Sequence, residues 1–177
     1  AEARRLRKIY EEDVQGPVGQ AQQKIADVRF KVYGTQLYPD ATFTLRLTYG
    51  AVEGWTEGGT RVDPFTRLDR LYERATGAPP FQLPASWLER KPKIDLNARA
   101  NFVATTDIVG GNSGSPMVDA QGRVVGLIFD GNIHSIAGSF WFDPQLNRSV
   151  AVHPSYIRTA LGTVYPAARL AKELRVP

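Results

Sequence analysis

The chain has no cysteine, one methionine and two histidines among 177 residues. Without cysteine there can be no disulfide framework, and the redox compartment leaves no mark on the sequence. With no His-x-x-x-His pair either, and with Asp107, Asp119 and Asp130 lacking the spacing of a cation loop, no metal site and no cofactor are expected. No apolar run approaches the roughly 18 residues of a membrane-spanning helix, so no membrane span is expected. Repeats and low-complexity tracts are also missing. The net charge of +4 comes from scattered residues: Arg4, Arg5, Arg7 and Lys8 are followed at once by Glu11, Glu12 and Asp13. That alternation describes a solvated helix laced with ion pairs, and nucleic acid is not an expected partner.

What is present is ordinary for a globular protein, with 42% hydrophobic and 23% charged residues, and the length allows one core or a small domain with a helical appendage. From Glu2 to Val14 the apolar positions Leu6, Ile9, Tyr10 and Val14 share one helical face. Gly16-Pro17 reads as punctuation, after which Val18, Ala21, Ile25, Val28 and Val32 keep to one side up to Gly34, so the pattern predicts an α-hairpin. Thr42 to Tyr49 alternates with period two, the pattern of a half-buried strand, and a partner strand is expected over 51–56, followed by a loop at Glu57-Gly58-Gly59. Pro64 is expected to open a short helix. The prolines at 79, 80, 84 and 92 predict a surface excursion with a turn of helix around Trp87. Strands are expected over 101–106, 116–119, 123–129, 137–142 and 149–152, enough for a small antiparallel barrel, and helices are expected to begin at Pro154 and Pro166.

The most informative stretch is Gly110-Gly111-Asn112-Ser113-Gly114-Ser115-Pro116, set between two apolar runs. A serine pinned between glycines can turn its hydroxyl outward while nearby backbone N–H groups converge, which is what an oxyanion hole requires. Read alone, Gly-Asn-Ser-Gly is also an ordinary hairpin connection. The order of features adds to it: a glycine two before the serine, Ser115-Pro116 just after, an Asp119-Ala120-Gln121-Gly122 turn, then Arg123-Val124-Val125-Gly126-Leu127-Ile128-Phe129-Asp130-Gly131-Asn132. This layout resembles the second barrel of chymotrypsin-like proteases, with Asn112 in place of that loop's aspartate and Ser115 in place of its third glycine. With Thr105-Thr106-Asp107-Ile108 before it, and Tyr38-Pro39-Asp40-Ala41-Thr42 far upstream, the chain resembles the bacterial dipeptidyl-peptidases 7 and 11. These are serine peptidases with a double barrel interrupted by a helical domain.

The resemblance implies a mainly β fold with α: a chymotrypsin-like antiparallel β-barrel, preceded by an α-hairpin and closed by C-terminal helices. Residues 1–36 would end the inserted helical domain and residues 37–177 form the C-terminal barrel. A start at Ala1 rather than Met, with a polar opening, predicts a removed leader or the tail of a longer protein, and the resemblance favours the tail. It also implies a periplasmic or secreted enzyme, a homodimer when complete, and peptide substrates from which N-terminal dipeptides are released. Ser113 would be the nucleophile, with Ser115 its competitor, and the backbone N–H groups of Gly111 and Ser113 the oxyanion donors. Asp130 would bind the substrate's amino terminus, with Asn132 beside it. Gly131 would border the pocket for the penultimate residue, leaving volume that an arginine fills in relatives selective for Asp or Glu, and Ile133 stands where an aromatic is common. The family's base and orienting acid come from the first barrel, which has no counterpart here. His134, in a loop, and His153, before Pro154, are expected to be surface or capping residues. The alternatives are a non-catalytic protease-like barrel that only binds peptides, and a structural domain whose Ser113 loop is a tight turn. Asn147-Arg148-Ser149 matches a glycosylation sequon, a motif short enough to recur by chance.

Overall fold

A computed structural model describes residues 2–34, 45–138 and 141–174. The chain divides into two compact units, 1–46 and 47–177. In the first, helix α1 (Glu2–Tyr10) runs through a π-turn at Glu11–Gln15 into α2 (Gly16–Tyr33). The hairpin expected at Gly16-Pro17 does not form, because Gly16 has right-handed helical dihedrals and its N–H reaches back to the carbonyl of Glu11. The wider π-turn absorbs the proline. It shifts the ladder by one residue, so Pro17 enters at the first turn of α2, where its missing N–H has no intrahelical partner to lose. The apolar face read from sequence is there, but Leu6, Ile9, Val14, Ile25 and Val28 are all exposed among the described residues.

The second unit is built on an open five-stranded antiparallel sheet in the order β3-β4-β7-β6-β5, formed by β3 (Phe65–Arg67), β4 (Arg99–Ala104), β5 (Pro116–Val118), β6 (Val124–Gly131) and β7 (Ser149–Val152). A separate hairpin, β1 (Trp55–Glu57) and β2 (Thr60–Val62), turns through Gly58-Gly59. Mainly antiparallel sheet with helices is the class expected, but the described residues form no closed barrel. Of the strand expected over 42–49, residues 42–44 lie outside the described residues and 45–49 form no strand. The expected partner over 51–56 is reduced to a single bridge from Val52 to Ala104 and the start of β1. The strand expected over 137–142 is also missing: a 3₁₀ turn occupies Ile133–Ala137, and 139–140 lie outside the described residues.

Pro64 opens a strand rather than a helix. Its carbonyl accepts from Val103, Phe65 pairs with Phe102 across β3 and β4, and helix α3 (Asp69–Glu73) begins only after the buried Leu68. Sheet pairing of two aromatics outweighs the helix-starting tendency of the proline. Helix α4 (Ala85–Arg90) supplies the buried Trp87, as the apolar position in the proline-rich excursion suggested. Helices α5 (Pro154–Thr159) and α6 (Ala168–Glu173) follow the C-terminal prolines.

Two apolar clusters hold this unit together. Leu68, Trp87, Ile94, Ala100 and Val164 form one, with Tyr156 stacked on the Trp87 ring at 5.3 Å. Phe102, Ile128 and Ala151 form the other, and Ile108 and Met117 pack against it from either side of the Ser113 loop. The loop therefore stands on a buried floor whose contacts cross from β4 to β6.

Candidate active site

The Ser113 loop leaves β4 through Thr105–Val109 and rejoins the sheet at β5. Four short bonds fix it: Val109 N–H donates to Asn112 Oδ1 at 2.9 Å, Ser115 N–H to the Asn112 carbonyl at 2.9 Å, Gly114 N–H to the Ile128 carbonyl at 2.7 Å, and Ile128 N–H to the Ser115 carbonyl at 3.0 Å. Asn112 thus braces the loop internally, and the last two bonds bolt it to β6. The fold of the loop demands glycine at two places, since Gly111 has φ +105° and Gly114 φ +86°, where a side chain would be strained.

Ser113 is exposed at the crest, and among the described residues its Oγ has no hydrogen-bond partner. The N–H groups of Gly111 and Ser113 likewise donate to no described residue. An exposed hydroxyl beside two free backbone donors on a rigid loop is the minimum an acyl-transfer site needs from this side of the substrate. Ser115 differs: its N–H donates to the Asn112 carbonyl and its carbonyl accepts from Ile128, while its hydroxyl makes no bond among the described residues.

Beyond Ile128 the strand carries a bulge at Phe129, because Ile128 pairs with Ala151 and Asp130 with Val150. An extra residue reverses the alternation, so Ile128 is buried while Asp130 is exposed. Asp130 Oδ1 accepts the N–H of Gly131 at 2.8 Å. Its second oxygen has no partner among the described residues.

Gly131 does not border empty space. A methyl group built on it would lie 2.7 Å from Ser135 Cβ and 3.2 Å from Ser135 Oγ, so the volume expected to be vacant is filled by the 3₁₀ turn. That turn also approaches the Ser113 loop from the other side: a methyl group on Gly138 would sit 3.5 Å from the Ile108 carbonyl oxygen. The turn 133–138 therefore reaches from the end of β6 to Ile108, on the segment that leads into the Ser113 loop. Asn132 is spent on holding this arrangement. Its Oδ1 accepts from Arg148 N–H at 3.0 Å and Ser135 Oγ at 2.9 Å, and its Nδ2 donates to the Leu146 carbonyl at 2.7 Å.

Three residues here carry roles the sequence did not reveal. Arg148 is 3% exposed, and its guanidinium donates to the carbonyls of Glu53, Gly54, Pro144 and Asn147, tying the approach to β1 to the loop before β7. Its neighbour Asn147 is buried as well, so the sequon match is an internal segment leading into β7. Asp107, which sits six residues before Ser113, donates its N–H to Thr48 Oγ1, while its buried Oδ2 has no partner in the described structure and burial pushes its carboxyl above the usual range. No signal in the sequence distinguishes such a carboxylate from a surface one.

Neither histidine reaches Ser113. His134 Nε2–H faces Glu57 Oε2 at 2.6 Å, joining the 3₁₀ turn to the tip of the β1–β2 hairpin. This bond, with a second from Trp55 Nε1, holds the Glu57 carboxyl below its ordinary range. His153 caps α5, its Nδ1 accepting from Ser155 N–H at 3.1 Å, and burial followed by the charges of Arg99 and Arg158 depresses its proton affinity.

With this geometry in hand, comparison with known proteins is decisive on kinship. The model of the Peptidase S46 family matches residues 1–176. The chain belongs to peptidase family S46. It is 33% identical over 176 residues to an Asp/Glu-specific dipeptidyl-peptidase of Shewanella putrefaciens, a match that covers 82% of this chain and 24% of that protein. It is likewise 33% identical over 153 residues to dipeptidyl-peptidase 7 of Capnocytophaga gingivalis, covering 79% of this chain and 21% of that one. Among solved structures, Porphyromonas endodontalis DPP11 in complex with the dipeptide Arg-Glu superposes with a TM-score of 0.78 at 26% identity, over 96% of this chain and 26% of that chain. This S46 chain spans about a quarter of the length of the relatives it matches.

Proposed function

We propose that this chain is the nucleophile-bearing part of a serine-type dipeptidyl-peptidase that releases dipeptides from peptide N-termini. Residues 1–36 correspond to the end of an inserted helical domain and residues 37–177 to the C-terminal lobe of the peptidase domain. The single observation that carries the reading is the exposed Ser113 hydroxyl beside the undonated N–H groups of Gly111 and Ser113, on a loop braced by Asn112 and bolted to β6. Membership of a family whose relatives are named dipeptidyl-peptidases supplies the reaction class.

In this mechanism Ser113 Oγ attacks the carbonyl carbon of the second residue while its proton passes to a base. The oxyanion is held by the two N–H groups. The C–N bond then breaks, the leaving amine takes the proton, and water releases the dipeptide from the acyl-enzyme. The base and its orienting acid come from the other lobe of the peptidase, since His134 is bound to Glu57 and His153 caps a helix. Each oxyanion donor is worth about 3 kcal/mol of transition-state stabilisation.

Asp130 gives the reading its dipeptide ruler. Its free oxygen is exposed at the end of β6, where a charge-assisted bond can hold a substrate ammonium two residues before the scissile carbonyl. Asn132 shapes the same end of the strand from within. No lysine or arginine occurs in 107–113 or 130–138. An acidic penultimate side chain would be desolvated there without a partner, so apolar ones are preferred. Peptides are the partners, the complete enzyme is a homodimer, and its place is the periplasm or outside the cell. Assay of the full-length protein on dipeptidyl substrates with free and blocked amino termini tests this. Turnover of free termini alone, lost in Asp130→Ala, supports it; equal turnover of blocked substrates contradicts it.

A further inference from the structure

The turn after β6 holds a side chain whose position dictates what its neighbour can be. Ser135 Cβ lies 2.7 Å from where a side chain on Gly131 would begin. Two carbons in non-bonded contact sit roughly 3.5–4.0 Å apart, so any residue but glycine at 131 overlaps Ser135 by about 1 Å. The overlap cannot be relieved by rotating a flexible chain, because a Cβ moves only with its backbone. That backbone is tethered: Ser135 N–H donates to the Asn132 carbonyl at 2.9 Å, and its hydroxyl donates to Asn132 Oδ1 at 2.9 Å with the Arg148 carbonyl 3.3 Å away. Asn132 and the buried Arg148 are themselves fixed by the bonds described above.

We propose that Ser135 is a specificity-determining residue, whose Cβ keeps position 131 a glycine and itself forms the wall met by the penultimate side chain of a bound N-terminal dipeptide. The proposal rests on the dipeptidyl-peptidase reading above. Location supports it, because the 133–138 turn spans from the Asp130 end of β6 to the Ile108 carbonyl, five residues before Ser113. Chemistry supports it as well. The wall consists of one carbon and a hydroxyl whose proton is already committed, so it offers a penultimate side chain contact but no charge and no free donor.

The steric and hydrogen-bonding roles of Ser135 separate cleanly in the full-length enzyme. Ser135→Ala keeps Cβ and loses the hydroxyl; Ser135→Gly loses both. These two variants, Gly131→Ala and the double variant Gly131→Ala/Ser135→Gly are compared by Tm and by kcat/KM on dipeptidyl substrates with penultimate Ala, Leu or Phe. Gly131→Ala is expected to lower Tm and to cut kcat/KM by about tenfold or more, and the double variant to recover most of both, because contacting residues couple. Ser135→Gly is expected to raise the Phe-to-Ala ratio of kcat/KM by about tenfold, chiefly through KM, the scale of one carbon in an apolar pocket. Ser135→Ala should keep the parent's ratio. Additive effects at 131 and 135 would overturn the proposal. So would a Phe-to-Ala ratio unmoved in Ser135→Gly, even with Tm coupling intact, which would leave the peptidase reading standing. A parent enzyme that hydrolyses no dipeptidyl substrate would remove both.

Discussion

Gly114 donates its N–H to the carbonyl of Ile128 at 2.7 Å, and together with the Ile128 N–H bond to the Ser115 carbonyl at 3.0 Å it fixes the Ser113 loop against β6. Ser113 is the residue before Gly114, and Asp130 comes two after Ile128 with the Phe129 bulge between them. Under the proposed function, the nucleophile and the acid that holds the amino terminus share one hydrogen-bonded connection, as cleavage at a fixed count from the N-terminus requires.

Asn112 is expected to matter through geometry alone. Asn112→Ala removes the acceptor for Val109 N–H, worth about 1 kcal/mol. The loop then holds the N–H groups of Gly111 and Ser113 less precisely, so under the proposed mechanism kcat should fall by about tenfold with little change in KM. Asn112→Asp keeps an acceptor and should restore most of the rate. Steady-state kinetics of the full-length variants checks both.

Asp107 should make the protein pH-sensitive in a definite direction. Burial raises its proton affinity in the folded chain above that in the unfolded chain. A raised acid contributes favourably below its unfolded pKa, and that contribution is lost as pH rises through the folded value. Asp107→Asn, which stays neutral, should therefore raise Tm by a few degrees at neutral pH. The gap should close near pH 3. A Tm lower than the parent's at pH 7 would mean that Asp107 is satisfied in its ionised form.

Arg148 should be among the costliest truncations. Arg148→Ala leaves the carbonyls of the buried Gly54 and Asn147 without this donor, at about 1–3 kcal/mol for each unsatisfied group. Chemical denaturation should show a loss on the order of 3 kcal/mol, and Arg148→Lys should recover only part, because an ammonium cannot span carbonyls on both sides.

Much of this was legible in the residues. Periodicity located β4, β6 and β7 within a few positions, and the prolines at 154 and 166 marked the C-terminal helices. The glycines of the Ser113 loop announced a special backbone, and Gly111 and Gly114 have it. What failed did so where non-local pairing or register decides. Pro64 opens a strand because Phe65 meets Phe102, and Gly16-Pro17 stays helical because a π-turn shifts the ladder around the proline. The bulge at Phe129 and the burial of Arg148 depend on residues distant in sequence or on a one-residue slip, and the filling of Gly131 by Ser135 depends on the 3₁₀ turn at Ile133–Ala137. No local pattern encodes them.

If Ser113 is the acylated residue of a serine peptidase, covalent labelling will find it. The full-length enzyme is treated with a fluorophosphonate and digested, and the modified peptide is sequenced by mass spectrometry beside Ser113→Ala and Ser115→Ala variants. A single adduct on Ser113 is expected, with no adduct and a loss of turnover on the order of 10⁶-fold in Ser113→Ala, and substantial labelling and turnover in Ser115→Ala. An adduct on Ser115, or turnover that survives Ser113→Ala, would contradict the assignment of Ser113.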